Sequence, residues 1–413
     1  MGRRVVVSGL GMVSPLGNDK ESYFENAKQG SSLIREIDGF DTKWFRTKYA
    51  GHVDFDIKEL IPKSIIRQTD PGTHYGFGAI DAVVKDAGID METIPKDRFG
   101  AMFGNCLGGC RFGQAEMYNL YQDGAFAISP FMMTSWFYAA SIGYLTIYHK
   151  LKGYAKTVVT DRASGTDAIG LAYHVIKSGD ADLMVTGGIE APINEYGLVC
   201  IDQGGQTING NGGDHKTAYQ PFSKQRQGFF VAEGAGFVCL EELEHALERN
   251  APIYGELVGY ATTTDAYHAF QANPDGVQMG RAMTQAMESA RVEAQDVDYI
   301  NLDATGTQME DARETKAIKQ AFGDHATSVH CSAPKSQYGH AMGAAGGFDF
   351  IETVLAVHED TILPTINYSE PDPECDLNIV ANEPLSTTVD TAMSVSCGFG
   401  GINSALLVKK YKK

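Results

Sequence analysis

An α/β fold of two similar halves is what this 413-residue sequence predicts, and three observations carry that reading. β-Branched runs end abruptly at glycines. Helical patterns fill the intervals between them. A Gly-rich strand end near residue 9 has a chemical echo in the turn after Tyr299-Ile300-Asn301-Leu302-Asp303.

Taken in chain order, Arg4-Val5-Val6-Val7-Ser8-Gly9-Leu10-Gly11 reads as a buried strand that enters a loop at its glycines. Helical spacing covers residues 75–87 and 164–178, and strands are expected at 183–186, before Gly187-Gly188, and at 235–240. The polar stretch 241–253 is the expected junction, dividing the chain into halves 1–250 and 251–413, with a new strand beginning at Gly255-Glu256-Leu257-Val258. A charged-faced helix at 311–321 and a strand at 393–396 complete the second half. Strands alternating with helices imply mainly parallel sheets. Without a short tandem repeat or a low-complexity stretch, a solenoid or a linker protein is excluded. Residues 124–148 carry no formal charge and are long enough to span a bilayer. Pro130, the interspersed Ser and Thr, and aromatics spread along the segment instead predict a buried helix preceded by a loop.

Hydrophobic content of 43% is too high for a disordered chain and enough for a large core. A net charge of −18 argues against nucleic acid or an anionic membrane as partner, since either needs clustered Lys and Arg. Seven scattered cysteines with no signal peptide fit free thiols in a reducing cytoplasm. The start Met-Gly-Arg-Arg-Val-Val lacks the Ser or Thr of a myristoylation signal. Cys106 and Cys110 have no second Cys or His cluster at zinc spacing, so no metal is expected there, and no cofactor is called for elsewhere.

Residues 158–170, Val-Val-Thr-Asp-Arg-Ala-Ser-Gly-Thr-Asp-Ala-Ile-Gly, have the form of a strand, a tight turn and a small-residue helix start. Such an elbow suits a nucleophilic cysteine, because the unpaired N–H groups of the helix start favour a thiolate. Its apex is Arg162, which is neither nucleophile nor base since its guanidinium stays protonated. Ser164 lies two residues further on and would point away from the apex.

Four separated segments share one resemblance. Val-Val-Val-Ser-Gly-Leu-Gly-Met-Val-Ser-Pro-Leu-Gly (5–17), Pro-Phe-Ser-Lys-Gln-Arg-Gln-Gly-Phe-Phe-Val-Ala-Glu-Gly-Ala-Gly (221–236), Lys-Ser-Gln-Tyr-Gly-His-Ala-Met-Gly-Ala-Ala-Gly (335–346) and Gly-Phe-Gly-Gly-Ile-Asn (398–403) resemble β-ketoacyl-acyl-carrier-protein synthases. The resemblance implies a thiolase fold, two pseudo-twofold-related βαβ-rich halves in five α-β-α-β-α layers. It also implies a Cys to carry the acyl chain and two His to stabilise the oxyanions formed after malonyl decarboxylation. Here the Cys position falls on Arg162 and the first His on Thr305, while His340 remains with Lys335 beside it, next to the loop Gly398, Phe399, Gly400 and Gly401.

Removing the nucleophile ends covalent catalysis, and losing an oxyanion donor typically costs a further ~10²–10³ in rate. The loop after Thr307 is also about two residues shorter than the family's Gly-Thr-x-Thr-Pro pattern, and Ala269-Phe270 stands where active members place a pantetheine-binding Thr. Both departures imply an altered or closed entrance. The family branch that abandons the cysteine is the chain-length factor, or ketosynthase β subunit, of type II polyketide synthases. It pairs with an active ketosynthase α and shapes the acyl tunnel. By this resemblance the partners are that α subunit and, mainly through it, an acyl carrier protein. Phe112, Met117, Tyr118, Tyr121 and Phe131 are the tunnel candidates, and Arg162 is expected to bridge to Asp161. Two alternatives stay open: a malonyl-carrier-protein decarboxylase supplying an acetyl starter, and a noncatalytic homodimer that recruits carrier protein. Arg162 holding a malonyl carboxylate or docking the partner is a further possible role.

Overall fold

In the computed structural model, residues 2–210 and 213–412 are described. Eleven strands form one continuous sheet. In chain order they are β1 (Val5–Val13), β2 (Phe99–Gly104), β3 (Ala155–Val158), β4 (Leu183–Glu190), β5 (Gly234–Glu242), β6 (Gly255–Thr264), β7 (Tyr299–Asn301), β8 (His330–Ser332), β9 (Asn378–Ile379), β10 (Thr391–Gly398) and β11 (Ile402–Lys409). Across the sheet the order is β9-β8-β7-β10-β11-β6-β1-β5-β4-β2-β3. At the centre, Val5–Val7 of β1 pair antiparallel with Gly255–Leu257 of β6. On either side the same permutation appears: first strand, last, next to last, second, third, with β9 added at one edge.

The sheet is mixed rather than mainly parallel. The inner strands pair antiparallel (β1 with β5, β5 with β4, β6 with β11, β11 with β10), and only the outer ones are parallel. An apolar run reads alike in either direction, so the pattern could not distinguish them. Nor does β1 stop at its glycines. Gly9 and Gly11 lie inside it because a Cβ at Gly11 would stand 2.3 Å from the Ala79 carbonyl oxygen of the helix packed above.

The helices used below are α1 (Pro71–Asp86), α2 (Cys110–Asp123), α3 (Ala140–His149), α4 (Ser164–Ser178), α5 (Val277–Ala290), α6 (Gln308–Phe322) and α7 (Ala345–Glu359). Helices α4 and α7 pack on each other and on strands of both halves, forming the central layer. Every residue of α7 from Ala345 to Val357 is buried, as a helix clad in protein on all sides requires. Helix α1 covers the outside of the first half, and α5 and α6 cover the second. The arrangement is the five-layered thiolase fold. Gly170 lets α4 approach the second half, since a Cβ there would be 2.1 Å from the Tyr260 ring.

The uncharged segment does not form one buried helix. It breaks into a 3₁₀ turn (Ala125–Ala127), a short helix (Met132–Ser135) and α3, and Phe126, Met133, Phe137 and Ile147 face solvent. Pro130 and the Ser and Thr residues interrupt the helix, and the single chain has nothing to cover its apolar side chains. No helix among the described residues is long and apolar enough to cross a membrane. The seven cysteines are unpaired.

Candidate functional site

The elbow between β3 and α4 brings its residues in from both halves. Asp161 holds the left-handed conformation (φ +54°) that a sharp turn demands. Its side chain fixes the turn by accepting from the Phe399 backbone N–H at 2.6 Å and from the Cys106 thiol at 2.9 Å. Ser164 is spent on structure: its Oγ accepts from the Thr160 N–H at 2.9 Å and donates to the Asp161 carbonyl at 2.6 Å.

Arg162 is fully buried at the apex. Its Nη2 donates to both Glu310 oxygens at 3.2 and 3.3 Å, and Nη1 donates to Gln206 Oε1 at 3.1 Å. Gln206 closes the ring by donating to Glu310 at 2.8 Å. The expected bridge to Asp161 is secondary, with Nε 3.7 Å from Oδ2, because Asp161 is already occupied by Phe399 and Cys106. Burial works against the Arg162 charge, but Glu310, Asp303 and Asp161 outweigh it and hold the guanidinium above its ordinary range. The Phe399 ring lies over the guanidinium, 4.8 Å to its centroid, and Phe270 packs on Phe399 at 5.6 Å. Phe270 therefore caps the stack at a position where the resemblance expects a hydrogen-bonding Thr.

Glu310 is placed by the start of α6. Thr307 caps α6, accepting from the Glu310 N–H at 3.1 Å, so Glu310 sits in the first turn, where the helix dipole favours a carboxylate. Thr305 is buried, with its hydroxyl 3.2 Å from that of Thr307. His340 is also buried; Nδ1 accepts from the Met342 N–H at 3.1 Å, which puts the proton of the neutral ring on Nε2. Nε2 has no hydrogen-bond partner and lies 3.9 Å from Asp303. Burial pulls the ring's pKa down to about 4, Lys335 and Arg162 adding to the effect and Asp303 opposing it, so the imidazole is neutral. Lys335 donates to Asp349 at 2.8 Å and to the Asp303 carbonyl at 2.9 Å, and these acids keep it charged against the cost of burial.

The glycine-rich loop closes over the elbow. A Cβ on Gly398 would sit 2.8 Å from the Thr160 carbonyl oxygen, and Gly400 and Gly401 turn the chain at φ +74° and +78°. The structure thus gathers Arg162, His340, Lys335 and the 398–401 loop around one centre with Thr305 nearby. Sequence reasoning missed Glu310 and Gln206. A buried Arg demands a carboxylate, and the acid three residues after Thr307 was the available signal; nothing in the sequence marked Gln206.

The tunnel candidates scatter. Met117 borders a cavity of about 350 Å³ beside α2, while Tyr118 and Tyr121 point into solvent. Phe112 and Phe131 are half-buried.

Residues 2–246 match the family described as Beta-ketoacyl synthase, N-terminal domain, and residues 254–369 match Beta-ketoacyl synthase, C-terminal domain. Among curated proteins, 3-oxoacyl-[acyl-carrier-protein] synthase 2 of Staphylococcus aureus is 39% identical over 99% of both chains, and the Synechocystis protein of the same name is 37% identical over the same share. Among solved structures, the ishigamide ketosynthase/chain length factor superposes with a TM-score of 0.92 at 30% identity over 100% of both chains. A type II polyketide synthase acyl-carrier protein in complex with its ketosynthase bound to the hexaketide gives 0.91 at 29%, again over 100% of both chains. A β-ketoacyl synthase from Burkholderia phymatum gives 0.93 at 28%, covering 99% of this chain and 100% of that one. With both domain families matched across an unbroken thiolase fold, this chain belongs to the β-ketoacyl synthase family, with an arginine at the apex of its elbow.

Proposed function

We propose that this chain is a non-condensing, chain-length-factor-like subunit that pairs with an active ketosynthase and shapes the tunnel for the growing acyl chain. The observation that carries the reading is Arg162, buried, neutralised by Glu310 and hydrogen-bonded to Gln206 where acyl transfer needs a thiolate. A condensing activity, suggested by the names of the curated relatives, would need a nucleophile that this apex lacks. Decarboxylation alone needs two aligned oxyanion donors, and of the pair of His the family uses only His340 remains, its Nε2–H buried and free, while the Thr305 hydroxyl is engaged with that of Thr307.

A partner face supports the pairing. Strand β3 is the outermost strand and pairs only with β2, leaving one edge open, and exposed Met133, Phe137 and Ile147 surround a second apolar hollow along α3. Tyr118 and Tyr121, idle in the single chain, are suited to the same contact. At −18 the chain is poorly matched to an acidic carrier protein, so the carrier docks mainly on the partner.

The test is coexpression with a catalytically intact ketosynthase from the same gene neighbourhood, followed by native mass measurement and a malonyl-extension assay. A 1:1 complex that elongates only when both chains are present is expected. Elongation by this chain alone, or a homodimer that ignores the ketosynthase, would overturn the reading.

A further inference from the structure

A cleft of about 280 Å³ flanks α2 on the face turned away from Met117, just below the size range of small-ligand pockets, about 300–1,000 Å³. Buried Asp70 sets the start of α2 by accepting from the Phe112 N–H at 2.9 Å. Arg111 and Ala115, four residues apart, then share the helix face that lines the cleft. The other walls come from distant segments: Asp38 and Phe40, His52 just after the strand Tyr49–Gly51, Ile193 and Glu195 around the start of the helix Glu195–Asp202, and Glu233 just before β5.

The charges around this cleft are not matched within the chain. Glu233 is buried and takes part in no ion pair among the described residues. Burial pushes its carboxyl up to about 7, with the Val53 N–H, the Tyr75 hydroxyl and Arg111 opposing the shift. Asp38 and Glu195 add two exposed carboxylates, of which Glu195 accepts from Gln114. Arg111 is exposed at the rim and has no ion pair among the described residues. His52 Nε2 is buried without a hydrogen-bond partner, and burial, with Arg35 adding to it against Asp38 and Asp54, keeps the ring neutral.

A simple anion entering here would meet three carboxylates beside one guanidinium. A simple cation would meet a guanidinium that no acid of the chain has claimed. A ligand that carries both charges a few ångströms apart satisfies both, its carboxylate on the planar fork of the arginine and its ammonium among the acids. We infer that this cleft binds a free amino acid, with the α-carboxylate on Arg111, the α-ammonium among Asp38, Glu195 and Glu233, and the side chain against Phe40 and Ile193. The inference goes beyond the pairing reading and does not depend on it.

The experiment titrates the purified full chain calorimetrically with leucine, methionine and phenylalanine. Saturable binding of at least one of them is expected. The amide of that amino acid lacks the carboxylate and its deaminated acid lacks the ammonium, so each should bind at least about tenfold more weakly, the loss of one charged hydrogen-bonded contact. Arg111→Gln, at an exposed position, should weaken binding at least about tenfold with an unchanged melting temperature. Ile147→Ser, in the separate hollow along α3, should leave binding unchanged. Absence of saturable binding by all three, equal binding of the amide or of the deaminated acid, indifference to Arg111→Gln, or sensitivity to Ile147→Ser would each overturn the inference.

Discussion

Replacing Glu310 by alanine is expected to lower folding stability by about 3–5 kcal/mol, because it strands the Arg162 guanidinium in a site with no access to water. Glu310→Gln should cost less, since an amide can still accept from Arg162 and from Gln206, although without the charge. The double variant Arg162→Met with Glu310→Leu removes both charges and restores apolar packing, and it should recover to within about 2 kcal/mol of the parent or exceed it. Urea denaturation of the four proteins, compared by midpoint and slope, reads this directly. If Glu310→Ala were as stable as the parent, the network would not be what neutralises Arg162.

Arg162→Cys, which returns a thiol to the apex, is not expected to return a nucleophile. A helix start alone would lower a thiol's pKa. Here the thiol would inherit the carboxylates that now serve Arg162, Glu310 foremost, with Asp303 and Asp161. Cys397, buried nearby, illustrates the effect: burial, with Asp303 and Glu310 adding to it against Arg313 and Arg162, pushes it up to about 12. Alkylation of Arg162→Cys at neutral pH should therefore be slow, and adding Glu310→Gln should speed it at least about tenfold, the change in thiolate for one pKa unit. Rates are read by mass spectrometry of the modified peptide. Fast labelling of the single variant would show that loss of the cysteine alone, without the surrounding carboxylates, explains the site.

The parts legible in the sequence were those written locally. The apex at Arg162, the helix starting at Ser164 and the strands beginning at Leu183 and Gly255 all rest on short-range patterns of glycine, β-branching and small residues, although the first of these strands runs on through Gly187 and Gly188 to Glu190 because its ladder with β5 continues there. What escaped depends on pairs far apart in the chain. Arg162 and Glu310 are 148 residues apart, and the nearer Asp161 looked the natural partner until Phe399, from the far end of the chain, claimed it. Strand direction escaped for the same reason, since β5 runs antiparallel to β1 and β4 although its composition matches a parallel strand. The uncharged segment misled because apolar residues read as core wherever they are, and in the single chain several of them form surface.

A subunit without a nucleophile at its elbow carries no acyl group, and intact-protein mass measurement of the coexpressed complex, after incubation with acyl- and malonyl-carrier protein, shows which chain is loaded. An acyl adduct is expected on the ketosynthase partner alone, unchanged when this chain bears Arg162→Ala. An adduct on this chain, whether at Cys106 beside the elbow or at Ser164, would contradict it and make the subunit a carrier of the chemistry itself.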